Sequence, residues 1–254
     1  MSCKGDHTID LSQVTFRDRI LPNQPLHREQ FEGSEQEFYA ALYETLERFS
    51  GMRSPEEEFR LHTSDQLSTQ LIASSPIALR FLQVLILLKR PRRILEIGTF
   101  IGLSALSMAR VLPENGRIVT IEKYAHCAEL AHRNFATNGL DDKIELIYGD
   151  AMEVLRRFES SQRFDMIFLD GNKERYHEYF ALLDPLLVPQ GLLVVDDVLF
   201  LGDVLNRRQK TAKGLGARLF LEAVETRQDY QKILLPLGNG IMLLVKQTLG
   251  GMHR

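Results

Sequence analysis

From residue 93 onward the chain alternates between short apolar runs and helical patterns, and that alternation leaves few folds open to it. The runs lie at residues 93–97, 118–122, 144–148, 164–169 and 192–195, and they are rich in Ile, Leu, Val and Phe. Near-continuous apolar runs of this length suit strands buried on both faces. A helical pattern follows each of them. It opens at Leu103, stops at Asn138-Gly139, covers residues 151–158, ends near Leu187 and spans residues 217–225, in that order. Strands that alternate with helices build a parallel sheet with helices on both faces. Two further runs, residues 233–237 and 241–245, are separated only by Gly238-Asn239-Gly240. A connection that short allows only an antiparallel pair. The expected architecture is therefore α/β, with seven strands, the last of them antiparallel.

The chain ahead of the first run is read as two segments, an arm at residues 1–33 and a helical cap at residues 34–90. The sheet domain then occupies residues 91–254 and forms one globular unit with the cap. Ser34 and Glu37 make a capping box, after which Phe38, Leu42, Leu46 and Phe49 share one helix face and Gly51 ends the helix. Ser54-Pro55 and Ser75-Pro76 start two more helices. The body of the third, ALRFLQVLILLK, is apolar on most sides, which predicts a well-buried helix. A length of 254 residues, with 44% hydrophobic and 26% charged residues, fits one soluble domain with an elaboration. The net charge of −3 argues against a dedicated nucleic-acid binder. Cys3 and Cys127 have no metal-ligand spacing, which fits a reduced cytoplasmic protein. No apolar stretch resembles a signal core or a membrane span, so no membrane partner is expected.

Chemistry is expected at the carboxyl ends of the strands, where open parallel sheets bind their ligands. After the first strand the spacing is Glu96-x-Gly98-x-x-x-Gly102, with Ser104 in the first helical turn. This differs from the G-x-G-x-x-G of dinucleotide enzymes. Bulky Phe100 and Ile101 leave less room for a pyrophosphate, and an acid on the last strand turn repels phosphate but welcomes an ammonium group. A nucleoside carrying an amino acid, S-adenosylmethionine, meets those demands; a plain helix-start turn that binds nothing is the alternative. Glu122 ends the second strand, twenty residues beyond Gly102, where a carboxylate can accept both ribose hydroxyls. Asp150, ahead of Ala151, either caps a helix or meets the adenine amino group.

Asp170 ends the fourth strand and Asp196-Asp197 the fifth. Carboxylates crowded at neighbouring strand ends repel one another unless a cation lies between them. An all-oxygen donor set points to a hard ion, Mg²⁺ or else Mn²⁺ or Ca²⁺, and the bland alternative is a set of helix caps and solvated acids. Lys173 would share that mouth, and near a dication its ammonium form is disfavoured, so it can act as a general base.

Taken together, Glu96-x-Gly98, Glu122, Gly149-Asp150-Ala151, Asp170-x-x-Lys173 and Asp196-Asp197 resemble the metal-dependent O-methyltransferases. The resemblance is to the caffeoyl-CoA and catechol O-methyltransferase group and its bacterial relatives, over roughly residues 60–247. It implies a class I methyltransferase fold with a Rossmann-like sheet, S-adenosylmethionine as donor, a divalent cation, an aromatic vicinal diol as acceptor, and a homodimer. Carried over by position, Glu96, Gly98, Thr99, Gly102, Ser104, Glu122, Asp150, Ala151 and Asp170 would bind the donor. Asp170, Asp196 and Asp197 would hold the metal, and Lys173, with Asp170 beside it, would carry the catalysis. The family usually has Asp-Asn at the Asp196-Asp197 position, so this site carries an extra negative charge.

The expected acceptor is a small catechol, with a hydroxylated nucleoside in transfer RNA as the second choice. The basic segment NRRQKTAKG, residues 206–214, would lie near the mouth and meet the phosphates of a coenzyme A thioester or of RNA, or be an ordinary solvated loop. The basic run at residues 89–93 should lie at the opposite edge. A nicotinamide dehydrogenase would need a third glycine and a parallel sixth strand. A non-catalytic nucleoside-binding protein would have no use for Asp170, Lys173 and the Asp196-Asp197 pair together.

Overall fold

The structure, a computed structural model, describes residues 31–64, 74–159 and 161–248. The predicted arm falls outside the described residues apart from its last three. The chain divides between Leu46 and Glu47 into two compact units. Helix α1 (Glu35–Phe49) starts in the first unit. There the expected capping box closes, with Glu37 N–H donating to Ser34 Oγ at 3.3 Å and Ser34 N–H to Glu37 Oε2 at 2.7 Å. In the second unit, α2 (Pro55–Glu58) and α3 (Pro76–Lys89) open where Ser54 and Ser75 accept from the backbone N–H groups of Glu57 and Ala78. Proline stands first in both helices, where no hydrogen bond is lost by its missing N–H.

Seven strands form one sheet in the order β3-β2-β1-β4-β5-β7-β6. They are β1 (Arg93–Ile97), β2 (Arg117–Glu122), β3 (Ile144–Tyr148), β4 (Phe164–Leu169), β5 (Leu187–Val195), β6 (Tyr230–Leu235) and β7 (Ile241–Lys246). β1 pairs in parallel with β2 on one side and β4 on the other. β7 inserts between β5 and β6 and runs antiparallel to both, which bears out the expected topology. The chain winds one way from β1 to β3 and the other way from β4 on. The reversal falls at the carboxyl ends of β1 and β4, the place where such sheets bind ligands.

Each face of the sheet has its own core. α3, α4 (Leu103–Val111) and α5 (Ala125–Thr137) bury Leu82, Leu106 and Phe135 against Ile94, Ile118 and Val194. α6 (Ala151–Arg157), α7 (Tyr176–Leu183) and α8 (Ala212–Glu225) bury Leu155, Tyr176 and Phe220 against Leu95, Ile121 and Val195. Strand side chains alternate between faces, so Glu96 and Thr120, paired in the β1–β2 register, share the α4 side with Ile94 and Ile118.

Four sequence expectations need correction. α3 is not buried all round. Its inward face is covered, but Val84, Leu87 and Leu88 are 45%, 59% and 77% exposed, because the helix has the sheet and α4 on one side only. β5 begins at Leu187, five residues ahead of the expected start. Leu187 pairs with Phe164, the strand then breaks register, and pairing resumes from Leu192 opposite Met166. β6 begins at Tyr230 and stops before Pro236, so the connection to β7 has five residues, 236–240. α8 starts at Ala212, capped by Thr211, and takes in the last part of the basic segment. Gly214 and Gly216, ahead of the expected helix, are close-packing points: a Cβ on Gly216 would stand 2.3 Å from the Lys173 carbonyl oxygen.

The outer strands are tied by an ionic clasp away from the ligand edge. Arg227 reaches Asp184 at 2.8 Å and also pairs with Asp229, while Tyr230 and Lys246 bind the other Asp184 oxygen at 2.7 and 2.8 Å. Burial opposes the Asp184 charge, but its bonds to Lys246, Tyr230 and Arg227 hold its pKa below the ordinary carboxylate value. A carboxyl whose folded pKa is depressed stabilises above its unfolded pKa and loses that contribution as pH falls through the folded value. Arg227→Ala is therefore expected to cost about 1–3 kcal/mol at neutral pH. The deficit should shrink below about pH 4. Urea unfolding of both proteins across that range measures it, and a deficit that does not change with pH would exclude the carboxylates as its source.

Candidate active site

The glycine turn after β1 is built where the sequence placed it. Gly98 and Gly102 have φ of +96° and +88°, and Phe100 between them has +51°. Gly102 N–H donates to Thr99 O at 2.8 Å and closes the turn, and α4 begins at Leu103 with no side chain capping it. Its first N–H groups are thus open toward the carboxyl edge, an arrangement suited to an anionic group. Glu122, at the end of β2, faces the same turn. Its Oε2 accepts from Phe100 N–H at 2.8 Å and its Oε1 from Tyr124 N–H at 2.9 Å.

Glu96 lies beneath the turn with no exposed surface. Its two oxygens accept from Ser104 Oγ at 2.6 Å and Thr120 Oγ1 at 2.5 Å. Burial pushes its pKa up to about 8, against those two bonds and with help from Asp170 and Glu122. At the end of β3, Asp150 caps α6 by accepting from Met152 N–H at 2.9 Å, and Ala151 is the first, buried residue of that helix.

On the other side of the reversal, Asp170 N–H donates to Ile97 O at 2.9 Å, which locks the β4 end beside the turn. Asp170 Oδ1 accepts from Lys173 Nζ at 2.6 Å and Oδ2 from Ser74 Oγ at 3.2 Å. The same ammonium lies 3.0 Å from Asp197 Oδ2. Asp197 itself has φ +57°, and its N–H donates to Asp196 Oδ1 at 2.8 Å. Tyr176, fully buried, donates its hydroxyl to the Asp196 carbonyl oxygen at 3.0 Å.

These charges act strongly on one another. Burial, then the fields of Asp170 and Asp197, push Asp196 up to about 8. Burial also raises Asp170, with Lys173 opposing and Asp197 adding. Burial disfavours the Lys173 ammonium, but Asp170, Tyr176 and Asp197 outweigh it and hold the group charged well above its ordinary pKa. Asp170 and Asp197 thus share one ammonium, with Asp196 crowded beside them. Among the described residues, no group of three or more His, Cys, Asp or Glu side chains converges as a ready-made metal cage.

Three contributors escaped the sequence reading. Thr120 sits inside an apolar run and would have been found only by asking why a central strand carries a hydroxyl. Tyr176 continues the spacing Asp170-x-x-Lys173-x-x-Tyr176, which was legible. Ser74 carries no signal at all. Of the basic segment, Arg207 and Arg208 are exposed, and the run ahead of β1 lies at the opposite edge, where Lys89 Nζ donates to Gln190 O at 2.7 Å.

The O-methyltransferase family profile matches residues 53–247. A catechol O-methyltransferase of Niastella koreensis is 34% identical over 185 residues, which cover 70% of this chain and 84% of that one. The chain belongs to the O-methyltransferase family. Among solved structures, the O-methyltransferase TomG from Streptomyces achromogenes, involved in tomaymycin synthesis and solved with SAM, aligns with a TM-score of 0.68. It is 30% identical, over 85% of this chain and 100% of that one. The O-methyltransferase from Bacillus cereus, solved with SAH, gives 0.65 at 26% identity, over 86% and 94%. Membership of the family makes the chain a methyl-transfer enzyme, and it fits a sheet whose reversal point is flanked by a glycine turn and strand-end acids. Among the described residues no helix is long and apolar enough to cross a membrane.

Proposed function

We propose that this O-methyltransferase moves the methyl group of S-adenosylmethionine to one hydroxyl of an aromatic vicinal diol, with a divalent cation held by Asp170, Asp196 and Asp197. The observation that carries the reading is the meeting of the Asp170 and Asp197 carboxylates within 3.0 Å of the Lys173 ammonium nitrogen, beside the turn that follows β1. The donor is supported by that turn, by Glu122 at its rim, and by relatives solved with SAM or SAH.

The donor set fits a hard cation in its chemistry, since all three residues are carboxylates, and burial, then the neighbouring carboxylates, disfavour the charge of Asp170 and Asp196 when no cation is near. A cage of the kind a bound ion needs would require these side chains to turn toward one point, with the Lys173 ammonium giving up its place between Asp170 and Asp197. When bound, the cation supplies Lewis-acid polarisation of the diol and a positive charge that disfavours the ammonium form of Lys173.

The rest is the work of the chain. The turn at Gly98–Gly102 and Glu122 hold the donor so that its sulfonium methyl faces the mouth. Lys173, once its ammonium has lost a proton to solvent, accepts the hydroxyl proton at Nζ, the hydroxyl oxygen bonds to the methyl carbon, and the carbon–sulfur bond breaks to leave S-adenosylhomocysteine. Fixing the two partners in line contributes most of the rate, because the methyl group is already activated.

The test is methyl transfer to catechols, catechol thioesters and bulk transfer RNA, with and without chelator. Excess chelator should abolish transfer to a catechol, Mg²⁺ should restore it, and S-adenosylhomocysteine binding should persist throughout. Turnover that continues in chelator would make the three aspartates structural, and transfer to RNA alone would replace the acceptor.

A further inference from the structure

We propose that Thr120 is a positioning residue for the methyl donor: through its hydroxyl the buried Glu96 carboxyl holds Thr99, and with Thr99 the glycine turn. The inference rests on the reading of that turn as the donor site. Thr120 lies at the middle of β2, opposite Glu96 in the β1–β2 register, and has no exposed surface. Its Oγ1 stands 2.5 Å from Glu96 Oε2 and 2.5 Å from Thr99 Oγ1. Thr99 is 2% exposed, so its side chain points down into the sheet while its carbonyl closes the turn with Gly102 N–H.

Counting protons shows why Thr120 is the essential link. With Glu96 ionised, Thr120 gives its one proton to Oε2, so the Thr99 contact must take its proton from Thr99. With Glu96 protonated on Oε2, that proton goes to Thr120, whose own proton is then free to go to Thr99. The chain Glu96–Thr120–Thr99 stays joined in both cases, and only its direction reverses. A hydroxyl can do this because it donates and accepts at once. Ser104 satisfies the other Glu96 oxygen but reaches no residue of the turn's Thr99 branch. Two other bonds tie the turn to β2, Gly98 N–H to Ile121 O at 3.1 Å and Phe100 N–H to Glu122 Oε2 at 2.8 Å. These bonds hold the backbone on either side of Thr99, and the Thr120 hydroxyl is the contact that holds its side chain.

The experiment measures S-adenosylhomocysteine binding by calorimetry on the full chain, for wild type, Thr120→Val, Thr120→Ser, Thr99→Val and the double valine variant. Thermal unfolding of each protein alone accompanies it. Thr120→Val, which keeps the shape and removes the hydroxyl, should bind about tenfold more weakly. Thr120→Ser should restore most of the affinity. Thr99→Val should match Thr120→Val, and the double variant should be no worse than either, because both remove one contact. Wild-type affinity in Thr120→Val, no rescue by serine, or losses that add in the double variant would each overturn the proposal. If Thr120→Val does not fold, Thr99→Val decides: a tenfold loss upholds the contact and an unchanged affinity overturns it. A wild-type protein that binds no S-adenosylhomocysteine removes the donor reading and this inference with it.

Discussion

Lys173→Met is expected to lower kcat for a catechol acceptor by a factor of about 10²–10⁴, the usual loss when a positioned general base is removed. S-adenosylhomocysteine affinity should hardly change, because Lys173 touches neither the glycine turn nor Glu122. The same substitution should also show in stability. Its ammonium lies between Asp170 and Asp197, at 2.6 and 3.0 Å. Losing one partner of a fully buried pair costs about 3–5 kcal/mol. Here the side chains keep 15% to 28% exposure, so solvent screens part of the repulsion and about 1–3 kcal/mol is expected. Methionine fills the volume, so the loss reports charge and not a cavity. Added Mg²⁺ should return part of that stability, since an ion bound only by the folded chain stabilises it by mass action. Single-turnover rates and melting curves, with and without Mg²⁺, check both halves. A methionine variant turning over at the wild-type rate would remove Lys173 from proton transfer. An unmoved melting temperature would mean that Asp170 and Asp197 do not depend on this ammonium.

Strand ends were legible because a buried strand needs a mostly apolar run and a glycine or a charged residue stops it, here Gly98 after β1, Gly149 after β3 and Asp170 after β4. β1, β3 and β4 occupy the expected residues for that reason. The carboxylates Asp170, Asp196 and Asp197 were legible for the same reason, as acids placed directly after such runs. Pairings between side chains were not. A lysine three residues beyond an aspartate can point to solvent or to two carboxylates, and only the fold brings Asp197 within reach. Thr120 could not be read because one hydroxyl in an apolar run looks like tolerated polarity until its partner across the register is known to be Glu96. The start of α8 was missed, with Gly214 and Gly216 left ahead of the expected helix. Glycine lowers helix propensity by about 1 kcal/mol, yet α8 keeps both because Asp203 and the Lys173–Glu174 backbone occupy the space a side chain would need. Packing outweighed propensity there, and packing is what a single sequence displays least.

Gly98→Ala is expected to be among the most damaging single-methyl changes to the site. With φ at +96°, any side chain at position 98 is strained. A Cβ there would also lie 2.4 Å from the Asp170 carbonyl oxygen, 2.9 Å from its carbonyl carbon and 3.1 Å from Gly171 Cα. These are backbone atoms and cannot rotate away. Nor can the turn retreat, because Gly98 N–H is bonded to Ile121 O at 3.1 Å and Asp170 N–H to Ile97 O at 2.9 Å. Strain and overpacking together should cost about 2–4 kcal/mol. Gly139 supplies the control. It has φ of +63° but nothing within 4 Å of a Cβ, so Gly139→Ala should carry only the backbone penalty, about 1 kcal/mol. The difference between the two variants isolates the collision. Function should suffer more than stability, because the strand ends that collide are the two halves of the site: the turn that receives the donor and the Asp170 backbone that sets the carboxylates. Donor affinity and turnover should therefore fall together in Gly98→Ala and neither should fall in Gly139→Ala. Denaturant midpoints and S-adenosylhomocysteine calorimetry on both proteins give the answer. A Gly98→Ala protein as stable and as tight-binding as Gly139→Ala would mean that the turn and the β4 end are free to separate, and the site is not built on their contact.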